Sequence, residues 1–158
     1  MTKLVAAPYF KRAKHMAIYI SQRSEVDTRS LLRRALAMGK KVFVPSVDPH
    51  RKALRFFPIR SLSRDLQKGH YGVLEPKPNL KVPASTKHLD LIVLPGLGFD
   101  RRGGRLGRGQ GYFDRFLKKV RRVRKVGLAF DAQILKKIPM TSHDVYLDGV
   151  ITESGEVA

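Results

Sequence analysis

The stretch "LDLIVLPGLGFDRRGGRLGRGQGYFDRF" (89–116) contains the pattern that decides the fold. Its first part, "LDLIVLPG" (89–96), is a nearly continuous apolar run that ends at Pro-Gly, and this predicts a buried strand. Its last part, "GYFDRF" (111–116), begins the longer segment "GYFDRFLKKVRR" (111–122). The apolar residues of that segment recur at helical spacing. We therefore predict a strand, a glycine-rich connection and an amphipathic helix, in that order.

The sequence on either side continues this alternation of strands and helices. "MAIYIS" (16–21) and "KVFVPSV" (41–47) are predicted strands, and a helix between them begins after Asp27 or Thr28 and ends at Gly39. Such a unit implies parallel pairing with a right-handed crossover. Further elements are predicted at "ALRFFPI" (53–59, strand), "SLSRDLQKG" (61–69, short helix or turn), "KVGLAF" (125–130, strand), "DAQILKKIP" (131–139, short helix) and "DVYLDGVIT" (144–152, strand). The predicted fold is α/β: residues 1–158 form a single-domain, Rossmann-like three-layer sandwich whose mostly parallel sheet is flanked by helices.

Composition restricts the class of protein further. The chain has no cysteine, which excludes disulfides, zinc–thiolate sites and thiol nucleophiles. It has no apolar run long enough to span a membrane and no secretory signal at its start, so we predict a cytoplasmic protein. The formal net charge of +19 indicates attraction to polyanions, namely nucleic acid, anionic membranes or small phosphorylated or polycarboxylated ligands. Charge alone does not choose among these, and a generally basic proteome would give the same value.

The segment from Pro95 to Phe116 holds seven of the thirteen glycines and five arginines. In open α/β sheets, ligands bind beyond the carboxyl ends of the strands. Glycines alternate before the predicted helix at 107, 109 and 111, where they let backbone N–H groups approach an anion, and nearby arginines add fork-shaped donors. The pattern predicts a phosphate-binding loop, although a loop that only reverses the chain is the alternative. It matches neither the Walker A nor the dinucleotide pattern.

Two aspartates near this loop are candidate magnesium ligands. Asp114 is predicted in the first turn of the helix, and Asp144 at the start of the last strand. Mg²⁺ takes one or two carboxylates together with phosphate oxygens, which fits this pair. Alternatively, Asp114 only interacts with the helix dipole and Asp144 is a surface carboxylate.

Several segments together resemble those of the 5-formyltetrahydrofolate cyclo-ligases, also called 5,10-methenyltetrahydrofolate synthetases. The matching segments are "YISQRSEVDTRSLL" (19–32), "GKKVFVPSV" (39–47), "YGVLEP" (71–76), "LPGLGFDRRGGRLGRGQGYFDRF" (94–116), "LAFDAQ" (128–133) and "HDVYLDGVITE" (143–153). The resemblance implies an ATP- and Mg²⁺-dependent enzyme that converts 5-formyltetrahydrofolate to 5,10-methenyltetrahydrofolate with release of ADP and phosphate. In that reaction the formyl oxygen takes the γ-phosphoryl group and N10 of the folate closes the ring.

The resemblance also implies roles for individual residues. The ATP-binding run comprises Arg105, Leu106, Gly107, Arg108, Gly109, Gln110, Gly111, Tyr112 and Phe113. The folate contacts comprise Ile20, Glu25, Arg108, Gly109, Gln110, Gly111 and Tyr112. Catalytic roles fall on Arg108 and Tyr112, and the Mg²⁺ ligands are Asp114 and Asp144.

The chain departs from the family pattern in three places, and these leave alternatives open. The basic helix with which family members usually begin is predicted to be missing, Phe113 stands where Tyr is common, and Gln110 stands where some members have Lys. An inactive folate- or nucleotide-binding relative is therefore one alternative. A basic nucleic-acid-binding protein is another, because "KKVRRVRK" (118–125) would attract phosphates, although a solvated helix end explains the same run. We predict small-molecule substrates (ATP and a reduced folate), no specific nucleic acid, no membrane and a monomer.

Overall fold

The structure is a computed structural model that describes residues 2–69, 73–80, 85–120 and 122–158. Five α-helices are described: α1 (Thr2–Ala6), α2 (Pro8–Arg12), α3 (Arg29–Ala37), α4 (Leu62–Asp65) and α5 (Tyr112–Leu117), with a 3-10 helix at Asp131–Gln133. The described strands are β1 (His15–Ile18), β2 (Lys41–Asp48), β3 (Ala53–Ile59), β4 (Leu66–Lys68), β5 (Leu74–Pro76), β6 (Leu91–Leu94), β7 (Gly98–Asp100), β8 (Arg105–Leu106), β9 (Arg124–Leu128), β10 (Ile134–Leu135) and β11 (Gly149–Ile151).

The main sheet has six strands in the order β11-β9-β6-β1-β2-β3. The first five of these pair in parallel, and β3 adds an antiparallel strand at the edge next to β2. The predicted α/β class, the mostly parallel sheet and the parallel pairing of the first two strands are therefore confirmed. Two small sheets, β10-β7-β8 and β4-β5, lie beside the main one.

Both faces of the main sheet are buried, which explains why its central strands have continuous apolar runs rather than alternating ones. Met16 and Ile18 of β1 belong to a core cluster with residues of α1, α2 and α3. Ala17, between them, belongs to a second cluster with Phe99 of β7 and Phe116 of α5. Successive side chains of a strand point to opposite faces, so α3 and α5 pack on opposite sides of the sheet.

The loop before α3 is fixed by Thr28 in a way the sequence did not predict. Thr28 occupies the N-cap position, but its side chain does not cap the helix. Its hydroxyl donates to the Tyr19 carbonyl at 2.7 Å and accepts from the Ser21 N–H at 3.1 Å, while Asp27 Oδ1 accepts from the Arg29 N–H at 3.2 Å. The loop that contains Glu25 is thereby tied to the carboxyl end of β1.

Several predicted boundaries are wrong. The last strand starts at Gly149, so Asp144 lies in a turn, where its N–H donates to the Thr141 carbonyl. Helix α5 ends at Leu117 because the chain turns at 118–119 towards β9, which begins at Arg124. Residues 131–139 form a 3-10 turn and a two-residue strand rather than a short helix.

One predicted helix end is confirmed, and two helices were not predicted. Gly39 has φ 71° directly after the end of α3, as predicted for a helix C-terminus. Two short helices, α1 and α2, precede β1 and were not predicted. Residues 71–72 of the "YGVLEP" segment lie outside the described residues. Over the described ranges, no helix combines the length and the apolar character needed to cross a membrane.

Candidate active site

A cavity of about 680 Å³ opens at the carboxyl edge of the parallel sheet. Its walls come from the residues after β1 and β6, from the second half of β2 and from the segment after β8. Every residue that the sequence analysis assigned to a site lines this cavity: Ile20, Glu25, Arg105, Leu106, Gly107, Arg108, Gly109, Gln110, Gly111, Tyr112, Phe113, Asp114 and Asp144. The fold therefore brings together segments that lie more than one hundred residues apart, at the edge where α/β proteins bind ligands.

The first half of the glycine segment is structural. Strands β7 and β8 form a hairpin whose turn surrounds the buried Asp100. The carboxylate of Asp100 accepts N–H groups from Arg102 at 2.9 Å, Gly104 at 2.8 Å and Ile138 at 2.8 Å. Gly103 has φ 81°, and a Cβ there would collide with the Leu147 carbonyl oxygen. These glycines allow a tight turn, and residues 97–104 do not line the cavity, whereas Pro95, Gly96 and residues 105–114 do.

The second half of the segment presents bare backbone to the cavity. Gly109 and Gly111 have φ values of 84° and 64°, in the left-handed region that favours glycine. No atom lies within 4 Å of the position that a Cβ on Gly109 would take. Among the described residues, the backbone N–H groups of 108–111 donate no hydrogen bond. Four consecutive free donors beside a cavity are suited to binding phosphate oxygens, and they do not depend on the six-residue helix α5.

The buried side chain of Arg105 holds the loop in place through hydrogen bonds. Its side chain is only 4% exposed, and its Nη2 donates to Asp114 Oδ2 at 2.7 Å. Its Nη1 donates to the Pro95 carbonyl at 3.4 Å, and Asp114 Oδ1 accepts from the Val145 N–H at 3.3 Å. The pair joins β8, α5 and the segment after β6, a contact that the sequence did not predict. Much of the charge of Arg105 is therefore matched within the protein.

Arg108, unlike Arg105, is accessible. Its side chain is 52% exposed, and its Nη2 donates to Glu25 Oε1 at 3.3 Å. Glu25 is mostly buried, and its other carboxylate oxygen accepts from the Gln22 N–H at 2.8 Å. The contact joins a predicted folate residue to a predicted nucleotide residue, so the two predicted subsites are adjacent.

The predicted metal ligands line the cavity but do not form a complete site alone. Asp144 Oδ2 accepts from the Thr141 N–H at 2.7 Å and from its hydroxyl at 2.9 Å, and these hydrogen bonds lower the pKa of Asp144. Within residues 2–69, 73–80, 85–120 and 122–158, no three His, Cys, Asp or Glu side chains cluster as a metal site would require. The two carboxylates fit Mg²⁺ only if phosphate oxygens and water supply the remaining ligands, as is usual for this ion. His143, which is adjacent to Asp144 in sequence, does not line the cavity.

Sequence reasoning missed the apolar and polar residues that complete the cavity. The missed residues include Tyr19, Gln22, Ser46, Val47, Leu54, Glu75, Ile138 and Pro139. Several of these are apolar and give the cavity a wall suited to a flat ring. Five of them, Tyr19, Gln22, Ser46, Val47 and Glu75, fall in segments that the resemblance had marked, but no role was assigned to them there. Leu54, Ile138 and Pro139 lie in ordinary strand and loop sequence outside those segments.

One cavity at the carboxyl edge of a mostly parallel α/β sheet thus combines free backbone donors, an accessible arginine and a mostly buried carboxylate. The model of the 5-formyltetrahydrofolate cyclo-ligase family matches residues 1–153. The chain belongs to that family. It is 34% identical to a probable 5-formyltetrahydrofolate cyclo-ligase of Caenorhabditis elegans, over 96% of this chain and 78% of that protein. The predicted family and the predicted enzyme class, a ligase, are thereby confirmed.

Two further proteins illustrate the similarity. A protein of Arabidopsis thaliana described as a mitochondrial 5-formyltetrahydrofolate cyclo-ligase is 37% identical, over 98% of this chain and 64% of that protein. The NMR structure of Aquifex aeolicus 5,10-methenyltetrahydrofolate synthetase superposes with a TM-score of 0.82 at 32% identity, covering 98% of this chain and 76% of that one. The fold and the sequence thus point to the same family.

Proposed function

We propose that this chain catalyses the ATP- and Mg²⁺-dependent conversion of 5-formyltetrahydrofolate to 5,10-methenyltetrahydrofolate, with release of ADP and phosphate. The observation that carries the proposal is the run of free backbone N–H groups at 108–111 in the same cavity as Glu25. The free N–H groups suit the phosphates of a nucleotide, and the Glu25 carboxylate suits the paired N–H donors at the edge of a pterin. The two substrates would thus lie side by side.

The nucleotide would bind along residues 105–113. The N–H groups of 108–111 would donate to the phosphate oxygens, while the buried Arg105–Asp114 pair keeps the loop in this shape. Arg108 would contribute charge to the transferring phosphoryl group, since its exposed guanidinium is free to leave Glu25. Positioning and charge neutralisation are what phosphoryl transfer requires of a protein.

The folate would occupy the side of the cavity formed by Ile20 and Glu25. Glu25 is held by the Gln22 N–H and would exchange its contact with Arg108 for the N–H groups of the pterin. Binding of the folate would therefore release Arg108 toward the phosphates. The contact between the two side chains would link the two binding events.

The chemistry then has two steps. The formyl oxygen attacks the γ-phosphorus, the bond between that phosphorus and the bridging oxygen breaks, and ADP leaves. N10 next attacks the formyl carbon, the carbon–oxygen bond breaks, phosphate leaves, and the N10 proton is lost. Arg108 would stabilise charge on the transferring group, and the Tyr112 hydroxyl would donate a hydrogen bond to one of its oxygens.

Asp114 and Asp144 would hold Mg²⁺, whose chemistry is to neutralise charge on the phosphate oxygens. Asp144 is the better ligand to test, because Asp114 already pairs with Arg105. The lowered pKa of Asp144 keeps its carboxylate ionised above the acid range, so it is available to a cation at neutral pH.

Replacing Asp144 with asparagine is expected to raise the Mg²⁺ concentration needed for half-maximal activity about tenfold, because one anionic ligand is lost. The measurement is initial rate against Mg²⁺ at saturating ATP and folate. Asp131→Asn is the matched control, because Asp131 is also an exposed carboxylate in a hydrogen-bonded turn but lies outside the cavity. Unchanged Mg²⁺ dependence in Asp144→Asn would remove that residue from the metal site.

Replacing Glu25 with glutamine is expected to raise KM for 5-formyltetrahydrofolate about tenfold or more, because a charge-assisted pair of hydrogen bonds is weakened. KM for ATP should change much less. Steady-state kinetics in both substrates measure the difference, and Glu153→Gln, outside the cavity, controls for the loss of one negative charge. A larger effect on ATP than on folate would contradict the assigned subsite.

The direct test of the proposed reaction is formation of the methenyl chromophore from 5-formyltetrahydrofolate in the presence of ATP. We expect one ADP for each methenyl product and no product without ATP. An inactive relative would bind both ligands, as shown by a raised unfolding midpoint, but would yield no chromophore even in a single turnover.

Three finer predictions belong to the same proposal. The chain would form one domain of three layers, act as a monomer and work in the cytoplasm. The core clusters on both faces of the sheet support the layered arrangement. The similar Arabidopsis thaliana protein is described as mitochondrial.

A further inference from the structure

The amino-terminal edge of the main sheet, opposite the cavity, carries a group of cations. Strands β1, β2, β6 and β9 are parallel and all begin at this edge. Basic residues lie at or just before their first positions. We call this group the basic edge; it comprises Lys11, Arg12, Lys14, Lys40, Lys41, Lys87 and Arg122.

Part of the basic edge lines a second cavity, of about 500 Å³. It lies between the end of α2, the start of β1 and the turn from α3 into β2. Its lining includes Lys11, Arg12, Lys14, Lys40 and Lys41 but no acidic residue. A concave surface with one sign of charge concentrates the electrostatic potential.

In the part of the chain that the structure describes, the two nearby acids form no ion pair with these cations. Asp90 Oδ2 accepts the N–H groups of Lys14 and His15, both at 2.8 Å. Asp148 Oδ2 accepts the Lys125 N–H at 2.7 Å and lies 3.5 Å from the Nζ of the same residue. Both carboxylates are therefore used to hold the starts of neighbouring strands together.

Hydrogen bonds within the fold account for only one of these cations among the described residues. Lys40 Nζ donates to the carbonyls of Lys11 and Ala13, at 3.0 and 2.7 Å. Over the described ranges, the side chains of the other six members of the basic edge make no hydrogen bond or ion pair, and all six are exposed. Lys11 and Arg12 also lie in the last turn of α2, where cations are favourable. Neither kind of structural role applies to Lys14, Lys41, Lys87 and Arg122 in the described residues.

We propose that the basic edge binds the phosphate backbone of single-stranded nucleic acid, without reading its sequence. Neighbouring strands lie about 4.8 Å apart, so the starts of β2, β1, β6 and β9 extend over roughly 14 Å. This length suits a linear polyanion, whereas a compact anion would need only the cavity. Met38 is the single large apolar side chain exposed there among the described residues, which is too little to anchor a membrane.

The surface differs from the proposed catalytic site in both position and chemistry. It lies at the opposite edge of the sheet, and the residues that define it are all Lys or Arg, with no Phe, Tyr or Trp for stacking a base. Binding should therefore depend on salt and length but hardly on sequence. Activity in the catalytic cavity should not require it.

The test uses fluorescence anisotropy of a labelled twelve-nucleotide oligouridylate over a salt series. We expect K11Q/K14Q/K41Q to weaken binding at least tenfold at low salt. Because each phosphate contact on a single strand contributes about 0.7 to the slope of log K against log salt, the slope should fall by about 2. The control R33Q/K136Q/K137Q removes the same charge from exposed positions away from this edge and should weaken binding less than threefold.

The proposal would be overturned by no binding of the unaltered protein, or by equal loss in the two triple variants. Displacement of the RNA by saturating Mg-ATP would also overturn it, because it would place the RNA in the catalytic cavity. Tighter binding to phosphatidylserine vesicles than to RNA would equally contradict it. The unfolding midpoint and the folate activity of each variant are measured alongside, and single lysine variants replace any triple variant that does not fold.

Discussion

Replacing Arg108 with alanine is expected to lower kcat by about 10²–10³-fold, the range observed when a donor that stabilises transition-state charge is removed. Arg108 is the accessible cation of the cavity, half exposed and placed between the free N–H groups of its own loop and Glu25. The loss should fall mainly on kcat, because the backbone donors would still bind the ground-state phosphates.

Two variants sharpen this expectation. Arg101→Ala removes an exposed arginine from the hairpin turn outside the cavity and should leave the kinetics within about twofold. Arg108→Lys keeps the charge but loses the planar fork, so it should recover only part of the rate. Normal kinetics in Arg108→Ala, or equal losses in Arg108→Ala and Arg101→Ala, would contradict the catalytic role.

Replacing Asp100 with alanine is expected to lower the free energy of unfolding by about 2–6 kcal/mol, because the buried N–H groups of Gly104 and Ile138 lose their acceptor and each unsatisfied buried donor costs about 1–3 kcal/mol. Asp100 is fully buried and holds the hairpin before the cavity to Ile138. Urea denaturation measures the effect. Asp144→Ala is the matched control: its carboxylate lies in a turn at the surface, so it should lose activity with little loss of stability.

Asp100 also makes the stability of the folded protein depend on pH in the acid range. Burial acts to raise the pKa of Asp100, but the N–H donors of Ile138, Gly104 and Arg102, with the Arg102 charge, lower it below the ordinary value of 3.8. A carboxyl with a lowered pKa contributes stability that is present above 3.8 and is lost as the pH falls through the lower, folded value. Stability below pH 4 should therefore fall less steeply in Asp100→Ala than in the unaltered chain, provided that the variant folds. An equal slope in both would contradict this role.

The sequence predicted well what depends on local pattern. The apolar run at 89–96 contains strand β6, the glycine after α3 ends that helix, and the residues of 105–114 line one cavity. These features depend on hydrophobic periodicity and on glycine conformation, both of which are properties of short segments.

What the sequence could not give depends on tertiary contacts. The pairing of Arg105 with Asp114, the contact of Arg108 with Glu25 and the use of Thr28 to hold β1 all join residues by their side chains across loops. From sequence alone, these arginines and carboxylates are equally consistent with direct contacts to a ligand, and the threonine with a helix cap. The sequence assigned no role to Asp100, and only its burial and its hydrogen bonds show that it supports the hairpin.

The structure of the complex with ADP and 5-formyltetrahydrofolate, determined by crystallography, tests the central claim most directly. We predict that the phosphate oxygens lie within hydrogen-bond distance of the backbone N–H groups of 108–111, and that the pterin contacts Glu25. A nucleotide bound elsewhere, with the 108–111 N–H groups directed at solvent, would contradict the account.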